Sequence, residues 1–284
     1  MFADRAMNLS ISNIAWDRNE DDLMASMLDS HGIRYIDVAP GKYFPDIAGA
    51  SDSAIRDVRQ WWASRDISVA GMQALFFGTQ GLNMFAPPES SDRMLSHLGH
   101  VFRIAEGLGA RRLVFGAPKN RDRGTLTLQD ADSIAIEFFH RAGESARNHG
   151  VVLCLEPNPP CYGSNFMTTT IEAADIVTRL AHPNVGLQWD TGAAFINEED
   201  VEELVSRFAP IIGHIHISEP GLAQIGCAES DHIQMSRLLG DHVDAQHIMT
   251  IEMLRPASGT RGIEEALRFT QRHYGPQAIE ASLR

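Results

Sequence analysis

Eight short apolar runs punctuate the chain, at residues 8–14, 33–40, 67–75, 111–118, 151–158, 185–192, 211–218 and 247–254. Each has the length and composition of a β-strand. Between them the apolar positions take up a helical period. In residues 20–31, Leu23, Met24, Met27 and Leu28 share one face; in 94–108, Leu95, Leu98, Val101, Phe102, Ala105 and Leu108 do the same. Residues 131–149 and 198–208 carry the same spacing. Gly32, Gly109 and Gly150 follow three of these helices, where a left-handed cap favours glycine, and so mark helix-to-strand turns.

Strand and helix alternating eight times imply parallel pairing through right-handed crossovers. Eight such units close into a single (β/α)8 TIM barrel, expected here as one domain over residues 1–284; its length is close to the roughly 250 residues such barrels use. An open doubly wound sheet is the alternative. No GxGxxG follows the first strand, so a dinucleotide fold lacks local support. The longest connections, 78–91 and 119–129, follow strands three and four, where long loops are often functional.

Composition narrows the function classes. The formal net charge of −13 argues against nucleic acid as the main partner, because binding a phosphate backbone needs clustered Lys and Arg. Three cysteines, Cys154, Cys161 and Cys227, form no CxxC pair and no disulfide framework; a reducing cytoplasm is expected. The N-terminal stretch has no signal-peptide pattern, and no apolar run reaches about 18 residues, so no membrane span is expected.

Chemistry concentrates at the ends of the last four strands, where barrel enzymes keep their sites. Strand five (VVLCLEPN) presents Glu156 and strand six (VGLQWDTG) presents Asp190. Strand seven (GHIHIS) offers His214 and His216 on one face, and strand eight (MTIEML) carries Glu252. Carboxylates in apolar strands are costly unless paired, and three converging on one space repel one another. A divalent cation held by Glu156, Asp190, His216 and Glu252 resolves both problems. So many oxygens suit Mn, Mg or Co, with Zn a less favoured occupant. A single acidic residue in a strand is usually a salt-bridge partner; four at matching depth on successive strands are not explained that way.

At LEPNPPCYGSNF, VGLQWDTG, HIHISEP and TIEM the chain resembles the xylose isomerase-like TIM barrels of the sugar phosphate isomerase/epimerase family. The resemblance runs from SNIAW in strand one to the final helix. It implies metal ligation by the strand-five Glu, the strand-six Asp, the second His of HxH and the strand-eight Glu, matching Glu156, Asp190, His216 and Glu252. It also implies that Glu156 and Glu252 are catalytic. One would remove a proton beside a carbonyl, leaving an enediolate, and the other would return a proton to the opposite face. Two departures stand out. Many relatives place a His three residues after the strand-six Asp, where this chain has Ala193; the family's arginine beyond HxH is not evident in SEPGLAQIG.

Further substrate-binding candidates each have a plainer alternative. Lys119 and Arg121, in GAPKNRDRG, would grip phosphate or carboxylate, or form a solvated loop. His214 would touch substrate, orient a ligand, or simply pack. Glu219 would bind a hydroxyl or cap its loop. His232 would replace the missing His, whereas the adjacent Asp231 would cap a helix. Trp16, Gln73 and Asn165, with Phe76, Phe77 and Tyr162, would wall a sugar ring; Trp61 and Trp62 are expected to pack, and the cysteines to be inert.

The expected function is therefore a metal-dependent isomerase or epimerase acting on a small carbohydrate, without nucleic-acid or membrane partners. A homo-oligomer is compatible with the Phe-rich mouth loops. A lyase on the same metal site and a non-catalytic sugar-binding barrel are the rival readings.

Overall fold

A computed structural model describes residues 8–275; residues 1–7, the start of the stretch inspected for a signal pattern, and residues 276–284 lie outside it. Eight parallel strands close on themselves: β1 Asn8–Ser12, β2 Tyr35–Val38, β3 Ser68–Met72, β4 Arg112–Phe115, β5 Val152–Leu155, β6 Val185–Asp190, β7 Ile212–Ser218 and β8 Ile248–Glu252. Closure comes from β1 beside β8, with Ile11 opposite Ile251. This is the expected (β/α)8 barrel. Each strand falls inside its apolar run; the surplus residues lie in the turns on either side, except Thr191 and Gly192, which open the helix after β6.

The helices are α1 Asp21–Ser30, α2 Asp52–Ala63, α3 Pro88–Leu108, α4 Leu128–Asn148, α5 Thr170–Leu180, α6 Thr191–Ile196, α7 Val201–Phe208, α8 His232–His242 and α9 Thr260–Tyr274. Gly109, at φ +88°, ends α3 in the left-handed conformation that its position predicts. Three helix starts differ from the apolar period by three residues or more; α4 begins at Leu128 rather than 131, capped by the Thr127 side chain. The third helix starts at Pro88 rather than 94, because its first turns are polar (Glu89, Ser91, Asp92) and carry no apolar signal. The segment expected at 198–208 starts at Val201: Glu198 takes φ +50°, and the Asp200 side chain accepts from Glu203 N to cap α7.

The apolar core lies between barrel and helices, with Trp62, Phe102, Phe139 and Leu267 fully buried. Trp62 meets Trp16 edge-on at 6.5 Å, so both tryptophans pack. Phe76 is buried, whereas Phe77 is 87% exposed. Cys154 is buried; Cys161 and Cys227 are exposed, and all three are free. Buried polar residues on the strands include Ser10, Ser12, Asp37, Gln188, His214, His216 and Thr250. Along β7 side chains alternate, so Ile215 and Ile217 face away from the side that carries His214 and His216. Among the described residues no helix is long and apolar enough to cross a membrane.

Candidate metal centre

Four side chains from consecutive strands meet at the C-terminal mouth. His216 Nδ1 lies 3.0 Å from Glu252 Oε2, 3.4 Å from Glu156 Oε1 and 3.9 Å from Asp190 Oδ2. One donor atom from each of Glu156, Asp190, His216 and Glu252 falls within 4.8 Å of every other. Donors sharing one cation at about 2.2 Å stand at most about 4.4 Å apart, and the three carboxylate oxygens, at 3.0–3.9 Å from His216 Nδ1, lie inside that span.

The three carboxylates are each held from behind. Asp190 caps α6, its Oδ1 accepting from Ala193 N at 2.6 Å, and Ser218 Oγ stands 2.9 Å from both of its oxygens. Glu156 Oε2 accepts from Asn158 Nδ2 at 3.0 Å. Arg121 donates to Asn158 Oδ1 at 2.6 Å and to the Glu156 carbonyl at 2.7 Å. Glu252 Oε1 accepts from Gln73 Nε2 at 2.6 Å. Gly116 makes room for Glu156, since a Cβ there would stand 2.4 Å from its Oε2.

The electrostatics show a site short of positive charge. Burial raises the Asp190 carboxyl, and the charges of Glu156 and Glu252 raise it further, to about 7. Burial alone would lower His216, but Glu252, Asp37 and Glu156 outweigh it and hold its pKa well above 6.5. Burial works against ionised Glu156 too, yet contacts with His216 and Asn158 keep its pKa below 4.5. Among the described residues, Glu156 Oε1 and His216 Nδ1 are buried without a hydrogen-bond partner. Buried polar atoms left unpaired cost about 1–3 kcal/mol each. Three carboxylates and an imidazole whose free donor atoms converge suit a divalent cation, with hard oxygen-ligand metals favoured.

The remaining candidates lie in varied surroundings. His214 is buried beneath the cluster, its Nε2 2.6 Å from Asp37 Oδ2. Gln73 orients Glu252. Arg121 is fully buried behind the ligand shell, where burial pushes its guanidinium down to about 10; it is not a solvated loop cation. Lys119 remains exposed on the turn after β4. Trp16 is buried, its Nε1 donating to Asp21 at 2.8 Å. Asn165 is exposed and ties the β4 and β5 loops together through Asp122 and Arg123. Glu219 and His232 are buried against each other at 3.0 Å. His232 also contacts Tyr274 Oη at 2.7 Å, which anchors the β7 loop to α9. Asp231 caps α8. The Tyr162 hydroxyl accepts from Gly221 N, joining the β5 and β7 loops.

Sequence reasoning passed over Asp37, Asn158, Ser218 and Gly116. Asp37 alone carried a legible signal: it is an acidic residue inside the apolar run IDVAP, the same signature that marked Glu156 and Glu252.

The model of the family described as xylose isomerase-like TIM barrel matches residues 26–273. A putative hydroxypyruvate isomerase of Danio rerio is 26% identical over 146 residues, 49% of this chain and 51% of the relative; the chain thus spans about half the length of that protein. Among solved structures, D-psicose 3-epimerase with D-tagatose from Clostridium cellulolyticum H10 superposes with a TM-score of 0.78 at 17% identity, covering 95% of this chain and 100% of that one. The IOLI protein with a bound zinc atom gives 0.71 at 16% identity, covering 94% and 96%. At these identities the solved structures establish likeness of fold.

Proposed function

The chain belongs to the xylose isomerase-like TIM-barrel family, and from that premise we propose that it is a divalent-metal-dependent isomerase or epimerase of a small polyhydroxy carbonyl compound. The observation that carries this reading is the convergence of Glu156, Asp190, His216 and Glu252 within 4.8 Å, with buried donor atoms left unpaired. Support also comes from relatives described as a putative hydroxypyruvate isomerase and a D-psicose 3-epimerase, and from a zinc-bearing neighbour of the same fold. The four donors would hold Mn, Mg or Co, and zinc is compatible.

When bound, the metal would supply charge that polarises a carbonyl and the hydroxyl of the adjacent carbon, lowering the barrier to ionising that carbon's C–H. The chain's own side chains do the rest. The Glu156 and Glu252 side chains keep 12% exposure each, against 9% for Asp190 and 0% for His216, which favours the two glutamates as the ligands nearest an incoming substrate. One carboxylate accepts the proton from carbon and leaves an enediolate. The other glutamate, entering the cycle as the carboxylic acid, gives its proton to the opposite face and ends as the carboxylate, so the two exchange protonation states in each turnover. Gln73 and Asn158 hold the two carboxylates in place during the exchange, and Asp190 and His216 close the ligand set.

The test is incubation with a panel of ketoses and keto-acids in D2O with added Mn2+. Deuterium entering the carbon next to the carbonyl, with loss of that exchange in Glu156→Gln and Glu252→Gln, supports the reading. An elimination product, or no exchange with any substrate bound, overturns it.

A further inference from the structure

We propose that Asp37 is a positioning residue that aims the imidazole of His216 at the metal, a role that rests on the metal-centre reading above. An imidazole that gives one nitrogen to a cation carries its proton on the other, and that N–H needs an acceptor. His216 Nδ1 faces Glu156, Asp190 and Glu252. Its Nε2 faces the opposite way, toward Asp37 Oδ2 at 3.8 Å, and has no hydrogen-bond partner among the described residues. Asp37 Oδ1 is likewise unpaired and buried.

Asp37 is itself placed with care. It is fully buried on β2, far in sequence from every metal ligand. His214 Nε2 meets Asp37 Oδ2 at 2.6 Å and anchors the carboxylate, with Thr250 Oγ1 3.4 Å from that nitrogen. The β2–β3 register slips between Ile36 and Asp37, and such an irregularity re-aims a side chain. On the neighbouring strand Gly71 leaves the space the carboxylate fills, since a Cβ there would stand 2.7 Å from both oxygens. A buried acid in a barrel interior needs cationic or donor neighbours; the two imidazoles of HxH are those neighbours. The first His of that motif thus holds Asp37, and Asp37 holds the second.

A rival role exists on the same atoms. Donor atoms of Asp37, His214 and His216 also lie within 4.8 Å of one another and could take a second cation. The close Asp37–His214 hydrogen bond favours positioning, and stoichiometry separates the two.

The experiment is a Mn2+ titration of wild type, Asp37→Asn and Asp37→Ala, counting free ion by EPR. It is paired with 15N spectra of histidine-labelled, Mg2+-loaded protein that report which His216 nitrogen carries the proton. Expected are a single site in wild type, its proton on Nε2, and Mn2+ affinity weakened about 10- to 100-fold in a folded Asp37→Asn, with the single tautomer lost. Equal affinity in wild type and folded variants overturns the assignment, as does a wild-type proton on Nδ1. Two ions per chain, one of them lost with Asp37, would make Asp37 a ligand instead. If neither variant folds, the wild-type tautomer decides. Wild type that takes up no Mn2+ sinks the metal centre and the role of Asp37 together, whereas binding that ignores Asp37 sinks only the latter.

Discussion

Gln73 Nε2 donates to Glu252 Oε1 at 2.6 Å, tying the exit of β3 to the end of β8 across the barrel mouth. With one oxygen fixed this way, the other points at His216 Nδ1, 3.0 Å away. Gln73→Met keeps the volume and removes the donor. It is expected to weaken metal affinity by about 10-fold or more with the fold intact. Calorimetric Mn2+ titration beside thermal melting checks this, and an unchanged affinity would show that Glu252 needs no such support.

Gly116 tests the other glutamate. A methyl group there would press on Glu156 Oε2 from 2.4 Å, and Gly116 does not take a positive φ, so alanine brings no backbone strain. Gly116→Ala should therefore fold, melt close to wild type, and lose most of its metal occupancy and turnover. Metal analysis after dialysis reads the outcome; full occupancy would mean that Glu156 is free to move aside.

Acid–base behaviour of the metal-free protein follows from Asp190 and His216. The Asp190 carboxyl stands at about 7 when folded against 3.8 ordinarily, so its favourable contribution is present at acid pH and fades as pH rises from about 4 through 7. His216, held well above 6.5, contributes below that value and loses its contribution as pH climbs through its raised pKa, which is the same direction. Without metal the melting temperature should fall between about pH 6 and 8, and added Mn2+ should raise it more at pH 8 than at pH 6. Melting curves in chelator and in Mn2+ across that range test this; a metal effect independent of pH would contradict it.

Arg121 lies behind the centre and reads out as stability as well as function. Arg121→Met strips donors from the Glu156 carbonyl and from Asn158 Oδ1. The expected cost is about 1–3 kcal/mol in urea unfolding, with weaker metal binding because Asn158 no longer holds Glu156. Arg121→Lys should recover little, since one ammonium cannot reproduce the planar two-pronged contact.

The barrel was legible because strand runs and helical faces alternate without interruption, and the ligand set because an acidic residue inside an apolar strand is physically anomalous. Glu156, Asp190 and Glu252 announce themselves in that way, and so does Asp37, whose strand lies outside the four that carry the ligands. The loop residues were less legible. Nothing in GAPKNRDRG distinguishes Arg121, which folds inward onto a carbonyl and an amide, from Lys119, which stays in solvent. Glu219 and His232 are thirteen residues apart, and their pairing depends on how the loop after β7 folds back, which periodicity does not encode. Ser218 and Gly116 act through close approach to a carboxylate, a property of three-dimensional packing alone.

The most direct measurement is the metal content of the purified, dialysed protein by elemental analysis, beside Glu252→Gln. Close to one divalent ion per chain, with loss in the variant, is the predicted result. No metal in either protein, even after soaking in Mn2+, Mg2+, Co2+ or Zn2+, would contradict the four-ligand centre and every step built on it.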